Sequence, residues 1–305
     1  MQNVITNQIV SDSLTTPETP SISSAAMLVE VNISTMTGRK KDKKASVDVT
    51  HANFAASGMA SVHKKLLGDC QELDAIQKFT ANSRNLHTSM TMPWSNTGLR
   101  LLPTAQYFKY HQAMTDIQQE YWRLVDSFKS VYEHAKYDAQ LALGDLFNPD
   151  EYPSYEVLAS KFAFRLSYVP LPDAGDFRID IGNEATTQLK EHYQSYYTTQ
   201  LKGAMDDIWH KVHDNLSTLV RQLDVNDEGK GNRLYDSVFD RAIELTEMLG
   251  TCNVTGDIQM EAMRCKLEDA LHGVNTEALK EDTHLRAQTK RNMTDIIKSL
   301  PSIGM

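Results

Sequence analysis

The chain has 305 residues, a formal net charge of −9 and an isoelectric point near 5.6. This balance argues against a general nucleic-acid-binding protein, because neutralising phosphates requires an excess of Lys and Arg. The three cysteines are far apart and no stretch approaches 18 consecutive apolar residues, so the sequence predicts no disulfide framework, no cysteine metal cluster and no membrane span. We expect a cytoplasmic protein with a hydrophobic core.

The first hundred residues combine strand and helix patterns. Residues 1–25 are rich in Ser, Thr and Pro and are predicted to form a flexible arm. The alternation in MLVEVNIST predicts a half-buried strand that ends in a basic turn, TGRKKDKK. Helix-forming sequence follows over residues 56–89, and residues 99–102 are expected to pair with the first strand. Residues 26–103 are therefore predicted to form a small α+β base.

The strongest periodicity in the chain follows residue 103. Apolar residues recur at steps of three and four along residues 104–143 and again along residues 184–223. This spacing predicts two long amphipathic helices, each about 60 Å in length. The two apolar seams consist of Ile117, Tyr121, Leu124, Phe128, Val131 and Ala135, and of Leu201, Met205, Ile208, Val212, Leu216, Leu219 and Leu223. Packing one seam against the other is the simplest way to bury both, so residues 104–224 are expected to form an antiparallel, coiled-coil-like helical hairpin.

A different pattern separates the two predicted helices. The stretch KFAFRLSYVPLPDAGDFRIDIG has alternating apolar residues on both sides of a Pro-rich turn, which predicts a β-ribbon over residues 162–181 at the tip of the hairpin. Because a two-stranded ribbon is marginally stable alone, its apolar face needs a covering surface. The predicted partner-binding residues are Phe164, Tyr168, Phe177 and Ile179.

Residues 225–305 are predicted to form a C-terminal helical segment after a linker rich in Gly and Asp. Its helices are expected at residues 233–249, 257–271 and 282–300. The predicted fold is therefore mainly α with a minor β component. It consists of a small α+β base, a long helical hairpin with a β-ribbon tip, and C-terminal helices.

A cluster of cations follows the first predicted strand. The cations of GRKKDKK are Arg39, Lys40, Lys41, Lys43 and Lys44. A basic loop beside a sheet edge could bind an anion or an acidic partner, and it could equally be a solvated turn that protects the edge from aggregation.

Three residues of the second long helix have metal-ligand spacing. Asp206, His210 and His213 stand at i, i+4 and i+7, which places a carboxylate and two imidazoles on one helical face. That face points about 120° away from the apolar seam, so a solvated polar face explains the same pattern. The chain contains no nucleophile elbow, phosphate-binding loop, dinucleotide fingerprint or zincin motif. The sequence therefore assigns no catalytic residue and no cofactor.

Three stretches in combination resemble an uncharacterised family of phage and bacterial proteins: LVEVNISTMTGRKKD, TMPWSNTGLRLLP and FRLSYVPLPDAGDFRIDIG. The resemblance covers most of residues 27–225. Members of that family are often encoded near MoxR-type or cobaltochelatase-like AAA+ ATPases and von Willebrand A-domain proteins. The resemblance implies a helical companion of a ring ATPase, located in the host cytoplasm if phage-encoded, and it carries no catalytic residues to transfer.

The leading hypothesis is a non-enzymatic adaptor or assembly protein that acts by protein–protein contact. Its expected contact surfaces are the ribbon and the basic loop, and its expected partner is an AAA+ ATPase or another copy of the chain. Two alternatives stay open. One is nucleic-acid binding by residues 39–44, and the other is a metal-dependent enzyme that uses the three candidate ligands.

Overall fold

A computed structural model describes residues 22–171, 183–224 and 232–301 of the chain. Helices dominate these ranges, and within them every helix is too short or too polar to cross a lipid bilayer. The helices are α1 (Ile22–Ala25), α2 (Lys43–Ala52), α3 (Gln71–Ser89), α4 (Tyr107–Leu143), α5 (Tyr155–Ala159), α6 (Asn183–Leu223), α7 (Asp236–Cys252), α8 (Ile258–Leu271), α9 (Thr276–Glu281) and α10 (Thr283–Lys298). The strands are β1 (Ala26–Ser34), β2 (Arg39–Asp42), β3 (Val62–Lys65), β4 (Met92–Pro93), β5 (Arg100–Pro103) and β6 (Ala163–Pro170).

Four strands form an antiparallel sheet in the order β4-β5-β1-β6. The predicted first strand is β1, and it pairs with β5 as expected and with β6 on its other side. Because side chains alternate along a strand, Val29 and Ile33 face one side of the sheet while Ala26 and Leu28 face the other. All four are buried. Both faces of the sheet are therefore covered.

The two long helices cover opposite faces of this sheet. α4 and α6 agree with the predicted helices to within a few residues, and their apolar seams are buried or half-buried. Tyr110 and Met114 of α4 share a core cluster with Val29, whereas Ile208 of α6 shares another with Leu28. The expectation that the two seams pack against each other is therefore wrong. A sheet with two apolar faces needs a helical layer on each side, and the two seams satisfy that need.

Each layer is completed by further helices. α3 packs beside α4, α7 and α10 pack against α6, and α8 packs against α7 and α10. The C-terminal helices agree with the prediction except that α9 was not expected. Asp257, Asn275 and Asp282 start α8, α9 and α10, because each side chain accepts a hydrogen bond from a backbone N–H of the first turn.

The predicted base needs two corrections. The segment predicted as a basic turn is strand β2 followed by the first turn of α2, because Asp42 caps that helix by accepting a hydrogen bond from the Ala45 N–H at 2.9 Å. The helix predicted over residues 56–89 begins only at α3. Its first half contains β3 and is interrupted by Gly58 and Gly68, whose φ angles of 85° and 58° do not fit a helix.

Of the predicted ribbon, only the first strand falls in the described part of the chain. That strand is β6, whose partner in the described part of the chain is β1. The residues predicted to form the second strand lie within 172–182, outside the described residues. The apolar side of β6 faces α4, because β6 is an element of the central sheet.

Candidate functional site

Residues 39–65 form a small substructure that we call the cationic module. Strands β2 and β3 pair as an antiparallel ribbon, and α2 contacts both strands. The module contains seven Lys or Arg and two Asp, a net charge of +5 in a chain whose total is −9. The rest of the chain therefore carries −14. The module is a positively charged patch on an acidic protein.

The register of the ribbon brings like charges together. Arg39 lies opposite Lys65, and both are exposed. Lys40 lies opposite Lys64, which is buried. Like charges directly opposite each other destabilise a pair of strands. An anionic surface bound here would relieve that repulsion.

The inner side of the ribbon is held by a buried lysine. The Lys64 side chain is 4% exposed, and its Nζ donates to the Leu146 carbonyl at 2.6 Å. The same Nζ lies 2.8 Å from Glu151 Oε2 and 3.2 Å from Asp42 Oδ2. Burial opposes the charged form, but Glu151 and Asp42 raise the pKa of Lys64 above its ordinary value. Lys64 therefore attaches the module to the segment that precedes α5.

The other cations of the module are available to a ligand. Among the described residues, Arg39, Lys41, Lys43 and Lys44 are exposed and form no ion pair. Lys40 differs, because its Nζ lies 3.6 Å from Glu151. Four of the five cations predicted to bind an anion therefore remain candidates, and Lys40 also contributes to the attachment.

Large apolar side chains protrude from the same module. Phe54 is 99% exposed and Met59 is 80% exposed, both in the loop between α2 and β3. Val47 and Val49 are exposed on α2. The unfavourable exposure of such apolar side chains to water ends only when another surface covers them. The sequence analysis missed these residues. A signal was present, because Phe54 and Met59 stand alone among small residues in NFAASGMAS.

A cavity of about 420 Å³ opens beside these side chains. It lies between β2, α2 and the loop that follows α2. The residues that line the cavity include Lys41, Lys43, Val47, His51, Ala55 and Ala60. Two hydroxyl groups in the wall are already hydrogen-bonded, because Ser46 Oγ accepts from the Val62 N–H at 2.9 Å and Thr50 Oγ1 donates to the Ser46 carbonyl at 2.7 Å. The cavity thus offers cations at its border and an apolar wall.

Two of the four ribbon residues predicted to bind a partner, Phe164 and Tyr168, make contacts within the chain. Phe164 is buried, with its ring 5.7 Å from the Tyr121 ring, so it supports the core and is not a contact surface. Tyr168 is half-buried, and its hydroxyl lies 3.0 Å from His111 Nδ1. Phe177 and Ile179 lie outside the described residues.

The candidate metal ligands do not form a site. Asp206 is half-buried, His210 and His213 are exposed, and His213 Nδ1 lies 3.4 Å from Asp214 Oδ1. No group of three His, Cys, Asp or Glu residues in the described ranges is arranged to hold a metal ion. The three residues form a polar face of α6, on the side away from its seam.

A buried polar cluster joins α3, α4 and β5. His87 Nδ1 lies 2.8 Å from the Tyr110 hydroxyl, and Arg100 Nε donates to Thr91 Oγ1 at 2.6 Å. Burial, with a smaller effect of Arg100, lowers the pKa of His87 to about 4, and burial raises the pKa of Tyr110. A general base works best with a pKa near the working pH. The low pKa of His87 therefore favours a structural role of the His87–Tyr110 pair over a role as a general base.

This histidine predicts a pH-dependent stability. Between about pH 6.5 and about pH 4 the unfolded chain protonates His87 while the folded chain does not, so stability falls as the pH drops through that window. We expect the melting temperature of His87→Gln to fall less between pH 7 and pH 5 than that of the wild type, as measured by circular dichroism. The exposed His134→Gln should behave like the wild type. An equal fall in His87→Gln would show that His87 is not the responsible group.

A thiol lines another cavity, of about 360 Å³, together with His134 and Asp138. Burial and the neighbouring Glu72 raise the pKa of the Cys70 thiol. Nucleophilic cysteines need a lowered pKa. The arrangement therefore gives no support for thiol chemistry.

Comparison of the chain with protein-family models, with curated proteins and with solved structures finds no match. The function must therefore be argued from the site itself.

Proposed function

We propose that the chain is a non-enzymatic adaptor or assembly protein whose cationic module binds an acidic surface of a protein partner. The observation that carries the proposal is that four unpaired cations occur in the same module as exposed Phe54 and Met59, on a chain that is otherwise acidic. Phe, Met and Arg are enriched at protein interfaces. Complementary charge accelerates association and selects the partner.

An AAA+ ATPase is the first partner to test, because the resemblance noted in the sequence implies one. Binding would be measured between the purified chain and a purified MoxR-type AAA+ ATPase. Since exposed charges are screened by salt, the affinity should fall as the ionic strength rises.

A charge-reversal variant tests the proposal. Replacing Lys41, Lys43 and Lys44 by Glu changes the module from +5 to −1, and we expect at least a tenfold loss of partner affinity, mainly through slower association. Titration calorimetry and stopped-flow association kinetics would measure it. The matched control carries the same overall charge change at three exposed cations elsewhere and consists of Lys161→Glu, Lys202→Glu and Arg291→Glu. Equal affinity of the two triple variants would contradict a role of the module.

Nucleic-acid binding is the second candidate, because the exposed Phe54 ring lies in the same module as unpaired cations and could stack on a base. The charge of −14 outside the module opposes it. A filter-binding titration with single-stranded DNA decides between the two. Nucleic-acid binding requires retention that the triple-Glu variant loses and that falls steeply with salt.

A further inference from the structure

Phe54 has an unusual backbone conformation. Its φ of 50° makes it the sole non-glycine residue with positive φ in the described part of the chain. For a residue with a Cβ atom this left-handed region is sterically unfavourable. A bulky residue held there needs a physical or functional reason.

The conformation belongs to a Schellman cap at the end of α2. The Phe54 N–H donates to the His51 carbonyl at 3.1 Å, and the Ala55 N–H donates to the Thr50 carbonyl at 3.0 Å. Glycine is the usual residue at the left-handed position of this motif. At 99% exposure the Phe54 ring contributes almost no packing to the fold. Folding alone would therefore favour glycine here.

The cap also directs the ring outward beside a cavity. Ala55, the next residue, lines the cavity of about 420 Å³ together with Val47 and Ala60. The module thus presents a protruding ring next to Ala55 of the cavity wall, and Lys41 and Lys43 line the same cavity. A surface that covers this face must supply a complementary pocket and complementary charge.

The charges and shape favour one class of partner. A second copy would bring two modules of +5 together, and like charges would oppose that contact. A bilayer is flat, whereas Val47 and Val49 are two positions apart on α2 and project to different sides. A protein surface with an acidic border meets both the charge and the shape.

We infer that Phe54 is the anchor residue of the docking face and inserts into an apolar pocket, bordered by Asp or Glu side chains, on a protein partner. The inference rests on the proposed function and adds the anchor and the chemistry of the surface that receives it. Anchors of this kind carry a large share of the binding free energy.

The test compares Phe54→Gly with Phe108→Ala, which removes another strongly exposed phenylalanine, 82% exposed on α4. The full-length protein with benzoylphenylalanine at position 54 is crosslinked in its native cells, and the crosslinked partner is identified and purified. We expect the crosslinked site to contain apolar residues next to Asp or Glu. Phe54→Gly should lower the affinity at least tenfold through faster dissociation, while its melting temperature stays equal to the wild-type value or rises. Phe108→Ala should bind like the wild type.

The outcomes separate the two claims. If Phe54→Gly binds like the wild type while the triple-Glu variant does not, the anchor is wrong and the proposed function stands. If the triple-Glu variant also binds like the wild type, the proposed function fails. The inference is overturned by the absence of any crosslink from position 54, by Phe54-dependent sedimentation with phosphatidylserine vesicles, or by a dimer that Phe54→Gly dissolves.

Discussion

Replacing Arg286 by Met is expected to destabilise the protein by about 4 kcal/mol, because it removes a buried cation that satisfies one buried and three part-buried carbonyl groups. Arg286 lies on α10 and is 7% exposed. Its Nε donates to the Leu223 carbonyl at 3.0 Å, and its Nη2 donates to the carbonyls of Gln222 at 2.6 Å, Asn232 at 2.8 Å and Asp224 at 3.3 Å. The guanidinium thus caps the C-terminus of α6.

The physical reason is the unsatisfied end of a long helix. The last carbonyls of a helix have no intrahelical partner and carry partial negative charge, so a cation with several donors is favourable there. Met fills a similar volume and donates nothing. Lys keeps the charge but lacks the planar fork of donors, and we expect an intermediate loss for Arg286→Lys.

Urea unfolding followed by circular dichroism measures this effect. Arg291→Met is the matched control, because Arg291 is an exposed residue of the same helix whose Nη2 donates to Gln288. Its effect should stay within about 0.5 kcal/mol. A loss of less than about 1 kcal/mol in Arg286→Met would show that water satisfies these carbonyls once the side chain is gone.

The long helices were predictable because their apolar spacing is regular over many turns. The spacing shows which side of a helix is buried and does not show what covers it. The signal for the correct partner lay in β1, where Ala26 and Leu28 are apolar as well as Val29 and Ile33. A strand that is apolar on both sides belongs to a sheet with two covered faces. This pattern excludes a seam-to-seam hairpin.

The candidate site was predictable only in its charges. The cluster from Arg39 to Lys44 is visible in the sequence, but two of the residues that matter most reverse the usual distribution of residue types. Lys64 is buried and Phe54 is almost fully exposed, whereas lysine is normally exposed and phenylalanine normally buried. Residue type alone cannot reveal such inversions, because burial depends on the pairing of β2 with β3 and on the distant Glu151.

Lys64 is the centre of the attachment of the module, and Lys40 adds a contact with Glu151 at 3.6 Å. Three oxygen-bearing groups, from Asp42, Leu146 and Glu151, converge on one Nζ atom. Arg39, Lys41, Lys43 and Lys44 are therefore free for a partner, while the buried Lys64 supports the ribbon from behind. Within the ribbon, Arg39 and Lys41 lie on the side opposite to Lys64.

Replacing Lys64 by Met should accordingly destabilise the module by about 3 kcal/mol, because it leaves two carboxylates close together without their cation. Hydrogen exchange should become faster in β2, α2 and β3 and stay unchanged in α6. Lys65→Met is the control, since the neighbouring Lys65 is exposed and pairs only with exposed Asp69 at 2.7 Å. Its effect should be below about 1 kcal/mol.

The stability of the same two variants at acid pH gives a second measurement. A hydrogen bond from the Ala45 N–H and the contact with Lys64 lower the pKa of Asp42 below its ordinary value of 3.8. The stability from this carboxylate is therefore present above that value and is lost as the pH falls through the lowered pKa. In Lys64→Met the loss of stability at acid pH should be smaller, because Lys64 no longer lowers the pKa of Asp42. Equal hydrogen-exchange rates and equal pH dependence of stability in Lys64→Met and Lys65→Met would contradict this role of Lys64. The module would then be held by its strand pairing alone.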